Sequence, residues 1–171
     1  MPLIKSKHSV AVPVFLALIG AGLFLPGTRE TYAQTAAPFT GLQGKWSGEG
    51  SIALTNGNTE RLRCDANYVV SGGGETLDQT LRCASDSYNF DLRVNLVDSG
   101  GQILGSWNEV TKQVTGGISG HDSKGLIQVN VSGQAFSAAV TVATHGNEQS
   151  VKINAASGSL SRVAITLRRA R

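Results

Sequence analysis

From Trp46 onward apolar and polar residues alternate with a period of two, and nowhere after Ala33 does an apolar period of 3.6 residues take over. The pattern predicts strands rather than helices. Ten segments carry it: Trp46 to Leu54, Glu60 to Val70, Thr76 to Cys83, Tyr88 to Val97, Gln102 to Thr111, Gln113 to Ser119, Leu126 to Ser132, Ala135 to Thr144, Ser150 to Ala155 and Arg162 to Arg168. Between them lie turn formers such as Asn56-Gly57-Asn58, Gly72-Gly73-Gly74, Asp98-Ser99-Gly100-Gly101, Asp122-Ser123-Lys124-Gly125, Gly146-Asn147 and Ser157-Gly158. Connections this short join antiparallel neighbours, so the expected topology is a meander. Closure into a single barrel of about eight to ten strands removes exposed edges and needs no Greek-key crossing, which makes it preferable to the alternative, a β-sandwich.

Two hairpins can be registered from their own side chains. If Gly73 and Gly74 form a two-residue loop, Cys64 falls opposite Cys83. Leu62, Cys64, Ala66, Tyr68 and Val70 then share the inner face with Leu77, Leu81 and Cys83, while Asp65 opposes Arg82 outside. Counting from that loop puts the cysteines at a hydrogen-bonded pair, the wider kind; a bulge or a longer glycine loop would shift it. In the second hairpin, a Ser99-Gly100 loop sets Leu96 against Ile103, Val94 against Gly105, Leu92 against Trp107 and Phe90 against Glu109. Gly105 then leaves room beside Trp107. Glu109 is the odd member of an apolar face, placed at a rim or inside a ligand cavity.

The first 33 residues do not belong to this pattern. Lys5, Lys7 and His8 precede an apolar run from Val10 to Leu25, and Thr31-Tyr32-Ala33 offers small residues where a signal peptidase cuts. The run is short of the roughly 20 residues of a spanning helix and contains Pro13, so residues 1–33 are expected to be a Sec signal peptide cleaved after Ala33. Residues 34–43 are expected to be a flexible leader and residues 44–171 the barrel domain. Location follows: periplasmic or secreted. In such a compartment Cys64 and Cys83 are expected to form a disulfide, and the 18 residues between them, on strands, are unlike a redox Cys-x-x-Cys pair.

Charge changes once the signal is set aside. The full chain carries a net +3, but residues 34–171 hold 12 basic against 11 acidic side chains. What stays positive is the tail, Arg168, Arg169 and Arg171, too small a cluster for nucleic-acid binding. A membrane barrel is disfavoured by short strands, few aromatics and an arginine terminus. His121 and His145 with the cysteines have no metal-ligand spacing, and His121-Asp122 sits in a turn without a nucleophile. No catalytic set, cofactor or metal is implied, and the chain does not read as an enzyme.

Gly44-Lys45-Trp46 resembles the Gly-x-Trp start of calycin-type barrels, a group that includes lipocalins, avidin-like proteins and periplasmic inhibitors of bacterial metalloproteases. The resemblance implies a tryptophan closing the barrel base beneath a basic residue from a late strand, a part for Arg168 or Arg169; Trp46 and Arg168 are assigned to that base. Cys83-Ala84-Ser85-Asp86-Ser87-Tyr88 and the Leu167-Arg168-Arg169 end are similar to a group of short, uncharacterised exported proteins of alphaproteobacteria, which implies export and a β fold but no activity. Two functions are compatible with these readings. One is a non-catalytic binding protein for a small amphipathic ligand or an envelope component, with Tyr68, Gln79, Trp107 and Glu109 as the ligand-binding candidates. The other is a structural or inhibitory protein whose partner is a periplasmic protein, with the leader used as the calycin-type inhibitors use their N-terminal plug. An open cavity larger than about 300 Å³ lined by Tyr68, Trp107 and a polar group favours the first, and a filled interior rules it out.

Overall fold

Ten strands form where the alternation places them: β1 (Gly44–Leu54), β2 (Thr59–Ser71), β3 (Thr76–Ala84), β4 (Asn89–Ser99), β5 (Gln102–Glu109), β6 (Val114–Ser123), β7 (Leu126–Gly133), β8 (Ser137–His145), β9 (Glu148–Ser157) and β10 (Leu160–Arg169). The structure is a computed structural model that describes residues 37–134 and 136–171. The expected signal peptide, its cleavage point and residues 34–36 of the leader lie outside the described residues, as does Ala135. Each strand pairs antiparallel with the next, and β10 closes on β1 from Trp46 opposite Arg169 to Leu54 opposite Leu160. The result is a closed ten-stranded meander barrel, with every strand edge paired.

Period two sorts the two faces of the wall. Along β2, Leu62, Cys64, Ala66 and Tyr68 are buried inside, while Arg61, Arg63 and Asp65 face out. Ile52, Leu62, Ile103 and Leu167 are fully buried on the inner face, each contributing about 1.5–3 kcal/mol by leaving water. An apolar inside and a charged outside is the reverse of a membrane barrel, whose outer band must be apolar. The barrel is therefore built to stand in water. Among the described residues no helix is long and apolar enough to cross a membrane.

The β2–β3 pairing has the expected partners: Cys64 opposite Cys83, Asp65 opposite Arg82 and Tyr68 opposite Gln79. Its loop is longer than two residues. Pairing ends at Ser71 opposite Thr76, and Gly72–Gly74 make a tight 3₁₀ turn closed by the Glu75 N–H donating to the Gly72 carbonyl. A four-residue loop keeps the partners and moves the hydrogen-bonded positions by one. The cysteine Cα atoms stand 4.1 Å apart, the spacing of the closer, non-hydrogen-bonded kind of pair, which suits the disulfide that joins them. Outside, Arg82 bonds to Asp91 of β4 at 2.9 Å rather than to Asp65.

The β4–β5 register differs from expectation by two residues. Leu96 lies opposite Gly105, Val94 opposite Trp107 and Leu92 opposite Glu109. The loop is Gly100-Gly101, not Ser99-Gly100, because both loop residues take positive φ, 62° and 89°, as a tight hairpin demands and serine resists. A slip of two leaves every side chain on its expected face. Gly105 thus packs under Leu96 instead of beside Trp107.

Candidate functional site

Counting turns from the one that follows β1, the even-numbered turns gather at one end of the barrel with the start of β1 and the end of β10; this end is here called the base. Trp46 is 1% exposed and its indole N–H donates to the Leu42 carbonyl at 2.7 Å. The Arg169 guanidinium stacks over the indole, 4.5 Å from the ring centroid, and donates to the Gly41 and Gln43 carbonyls and to Asn147. The basic residue of the base is therefore Arg169, and the assignment of Arg168 is corrected. Leu167 points inward, so by alternation residue 169 shares its face, while Arg168 points out and pairs with Glu148 at 3.2 Å. Residues 37–43, expected within a flexible leader, are packed here. Phe39 and Leu42 are buried, and the Phe39 N–H donates to the Gly74 carbonyl.

Asp98 and Asp122 also lie toward this end, each with one buried carboxylate oxygen that has no hydrogen-bond partner among the described residues. Burial and the neighbouring Asp98 charge raise the pKa of Asp122, against opposing effects of the Gly125 N–H and His121. His121 itself is exposed.

Above the base the interior narrows to a cavity of about 160 Å³. Its walls are mostly aliphatic, with Ile118, Ile127, Val129 and Val151 among them. A polar relay crosses this oil. Tyr68 donates to Gln149 at 2.6 Å, Gln149 donates to Thr144 at 3.2 Å, and Gln79 approaches the Tyr68 hydroxyl at 3.5 Å. Burial pushes the Tyr68 hydroxyl far above its ordinary range despite the Gln149 contact, so it stays a neutral donor. Gln149 is fully buried and falls outside the ninth segment that alternation predicts, which begins one residue later, at Ser150.

The odd-numbered turns form the other end, the mouth, and around it lies a cavity of about 370 Å³. Tyr88, Phe90, Trp107 and Phe136 supply aromatic walls, and Leu160, Val163 and Ile165 aliphatic ones. Leu81, Leu92, Trp107, Phe136 and Ile153 border both cavities, so the mouth leads toward the interior. Trp107 is held by two glycines: a Cβ on Gly116 or Gly133, its neighbours across β6 and β7, would run into the indole ring. The indole N–H donates to the Ser132 carbonyl at 3.1 Å, and Phe136 meets the ring edge to face.

Glu109 points inward at this end and is 6% exposed. Its carboxylate accepts from the Asp91 N–H at 3.0 Å, the Lys112 N–H at 2.5 Å and the Thr111 hydroxyl. Burial acts to raise its pKa, but these hydrogen bonds outweigh it and hold the group below the ordinary carboxylate range. It is an ionised cap on the β5–β6 turn. At the rim the Tyr88 hydroxyl donates to Ser159 at 2.6 Å, and the Lys112 ammonium lies 5.2 Å from the Tyr88 ring centroid. The four ligand candidates thus divide by depth. Tyr68 and Gln79 border the inner cavity, Glu109 borders the mouth cavity, and Trp107 borders both.

Among solved structures, the chain is similar to Rv2717c from M. tuberculosis, with a TM-score of 0.62 and 14% identity over 77% of this chain and 94% of that one. It is also similar to the S-type phycobiliprotein lyase CPES from Guillardia theta, with a TM-score of 0.56 and 12% identity over 78% of this chain and 90% of that one. The barrel has the calycin-like fold. No protein-family model matches the chain, and no curated protein matches it in sequence. At these identities the likeness concerns the fold, and the calycin-like barrel's function has to be read from its own cavities.

Proposed function

We propose that this chain is an exported, non-catalytic binding protein that carries a small amphipathic molecule in the mouth of its barrel. The observation that carries the reading is the 370 Å³ cavity with aromatic and aliphatic walls, which shares five lining residues with a smaller interior space. Its volume lies within the range of small-molecule sites, and burying apolar surface there yields about 25 cal/mol per Å². Export is supported by the basic-apolar-small order of residues 1–33 and by the disulfide. The inhibitor reading loses its motive, since Phe39 and Leu42 of the N-terminal segment are spent on sealing the chain's own base.

Native mass spectrometry of the protein taken from its own cells, set beside a denatured sample, tests the proposal. The expected result is an additional small mass that is lost on denaturation. A stoichiometric protein partner in its place would overturn the carrier reading.

A further inference from the structure

We propose that the mouth takes a single-chain amphiphile with an anionic head group, and that Lys112 holds the head. The inference rests on the carrier reading and names the chemistry of its ligand. Among the described residues two charged side chains border the mouth cavity, Glu109 and Lys112, and they differ in what they have left to offer. Glu109 is buried, and three donors, the Asp91 and Lys112 N–H groups and the Thr111 hydroxyl, already answer its charge. Lys112 is exposed, and among the described residues no carboxylate lies within ion-pair distance of its ammonium.

What positions the ammonium is the Tyr88 ring, at 5.2 Å, an attraction of about 0.5–1 kcal/mol at an exposed site. Tyr88 is itself tied across the rim to Ser159. The cation is thus stationed at the edge of an apolar cavity, its donors turned to whatever arrives there. Deeper in the barrel a charged head meets no counter-charge among the described residues that line the inner cavity. Gln79, Tyr68, Gln149 and Thr144 are neutral and hydrogen-bonded among themselves. An apolar chain entering the cavity therefore leaves its head at the rim, where an anion is attracted to Lys112, a cation is repelled and an uncharged head gains at most a hydrogen bond.

Dodecanoate, dodecyl phosphate and dodecanol share one chain and differ in the head, so titrating each into the full chain isolates the head-group effect, with Trp107 fluorescence as the readout. Trp46, sealed at the base, supplies a constant background. One or both anions are expected to bind roughly twofold to fivefold tighter than the alcohol, the size of an exposed ion pair. The carboxylate and phosphate arms show which head is preferred. That preference should vanish in Lys112→Met, survive in Lys112→Arg and shrink as salt is added. Equal binding of all three by the unaltered protein, or a preference unchanged in Lys112→Met, would overturn the head-group assignment and leave the carrier reading standing. Failure of all three amphiphiles to bind, while an uncharged aromatic probe still binds, would overturn this ligand class alone. Failure of that probe as well would overturn both.

Discussion

Trp46 at the base and Trp107 at the mouth stand on the same inner face of the same barrel, yet their surroundings differ. Trp46 has Arg169 stacked on its ring, the Leu42 carbonyl on its N–H and Tyr68 against its edge. Trp107 is fixed by the Ser132 carbonyl, Phe136 and two glycines, and still borders open space. The difference follows from the chain's path. Both ends of the described stretch converge on the base, and the segment from residue 37 to residue 43 lies across it. Among the described residues the mouth has tight turns, which can line an opening without covering it. A meander barrel of ten strands thus closes where its termini meet and stays open where they do not.

The largest expected effect separates the two tryptophans. Trp46→Ala should destabilise the fold by about 3–5 kcal/mol, whereas Trp107→Ala should cost less, because part of its surface already faces a cavity. Urea unfolding of both variants measures this, and equal losses would erase the distinction between a structural and a lining tryptophan.

Next in size is the staple. Reducing the Cys64–Cys83 bridge, or replacing both cysteines by serine, should lower stability by about 2–4 kcal/mol, read as a shift of the urea midpoint with and without reductant. An unmoved midpoint would mean that barrel closure alone constrains this hairpin.

The smallest effects are two opposite responses to acid, one at each end. At the mouth, the folded pKa of Glu109 is depressed, so its contribution is present above the ordinary carboxylate value and is lost as pH falls through the folded value. At the base, the folded pKa of Asp122 is raised, so its ionised form costs stability at neutral pH and the cost is relieved as pH falls through that raised value. Glu109→Gln should therefore be less stable than the parent at neutral pH, and Asp122→Asn more stable. Both differences should shrink on acidification, which thermal melts across a pH series would follow. Two differences of the same sign would break the contrast.

How much of this was legible in the sequence depends on what parity can detect. The ten strands and the Cys64–Cys83 contact were readable, because alternation fixes the inner face and the glycine loop fixes the partner. The β4–β5 slip was invisible to alternation, since a shift of two residues preserves every face; only the positive φ of both Gly100 and Gly101 decides it. Arg169 was within reach, because Leu167 sets its face. Gln149 and the packed Phe39 were not, the one lying just past a misread strand start and the other in a stretch with no period. The cavities depend on how side chains from ten strands fill one space, which no single strand's pattern encodes.

The central claim is that the open end of the barrel is the binding end. Titration of phenylnaphthylamine, an uncharged apolar probe, into the unaltered protein and into Leu92→Trp tests it most directly, because Leu92 stands where the two cavities meet. Saturable binding that quenches Trp107 and falls at least roughly tenfold when the larger side chain fills the passage is the predicted result, a loss of about 1.4 kcal/mol. Equal binding by a folded Leu92→Trp protein would contradict the account and move the site off the mouth.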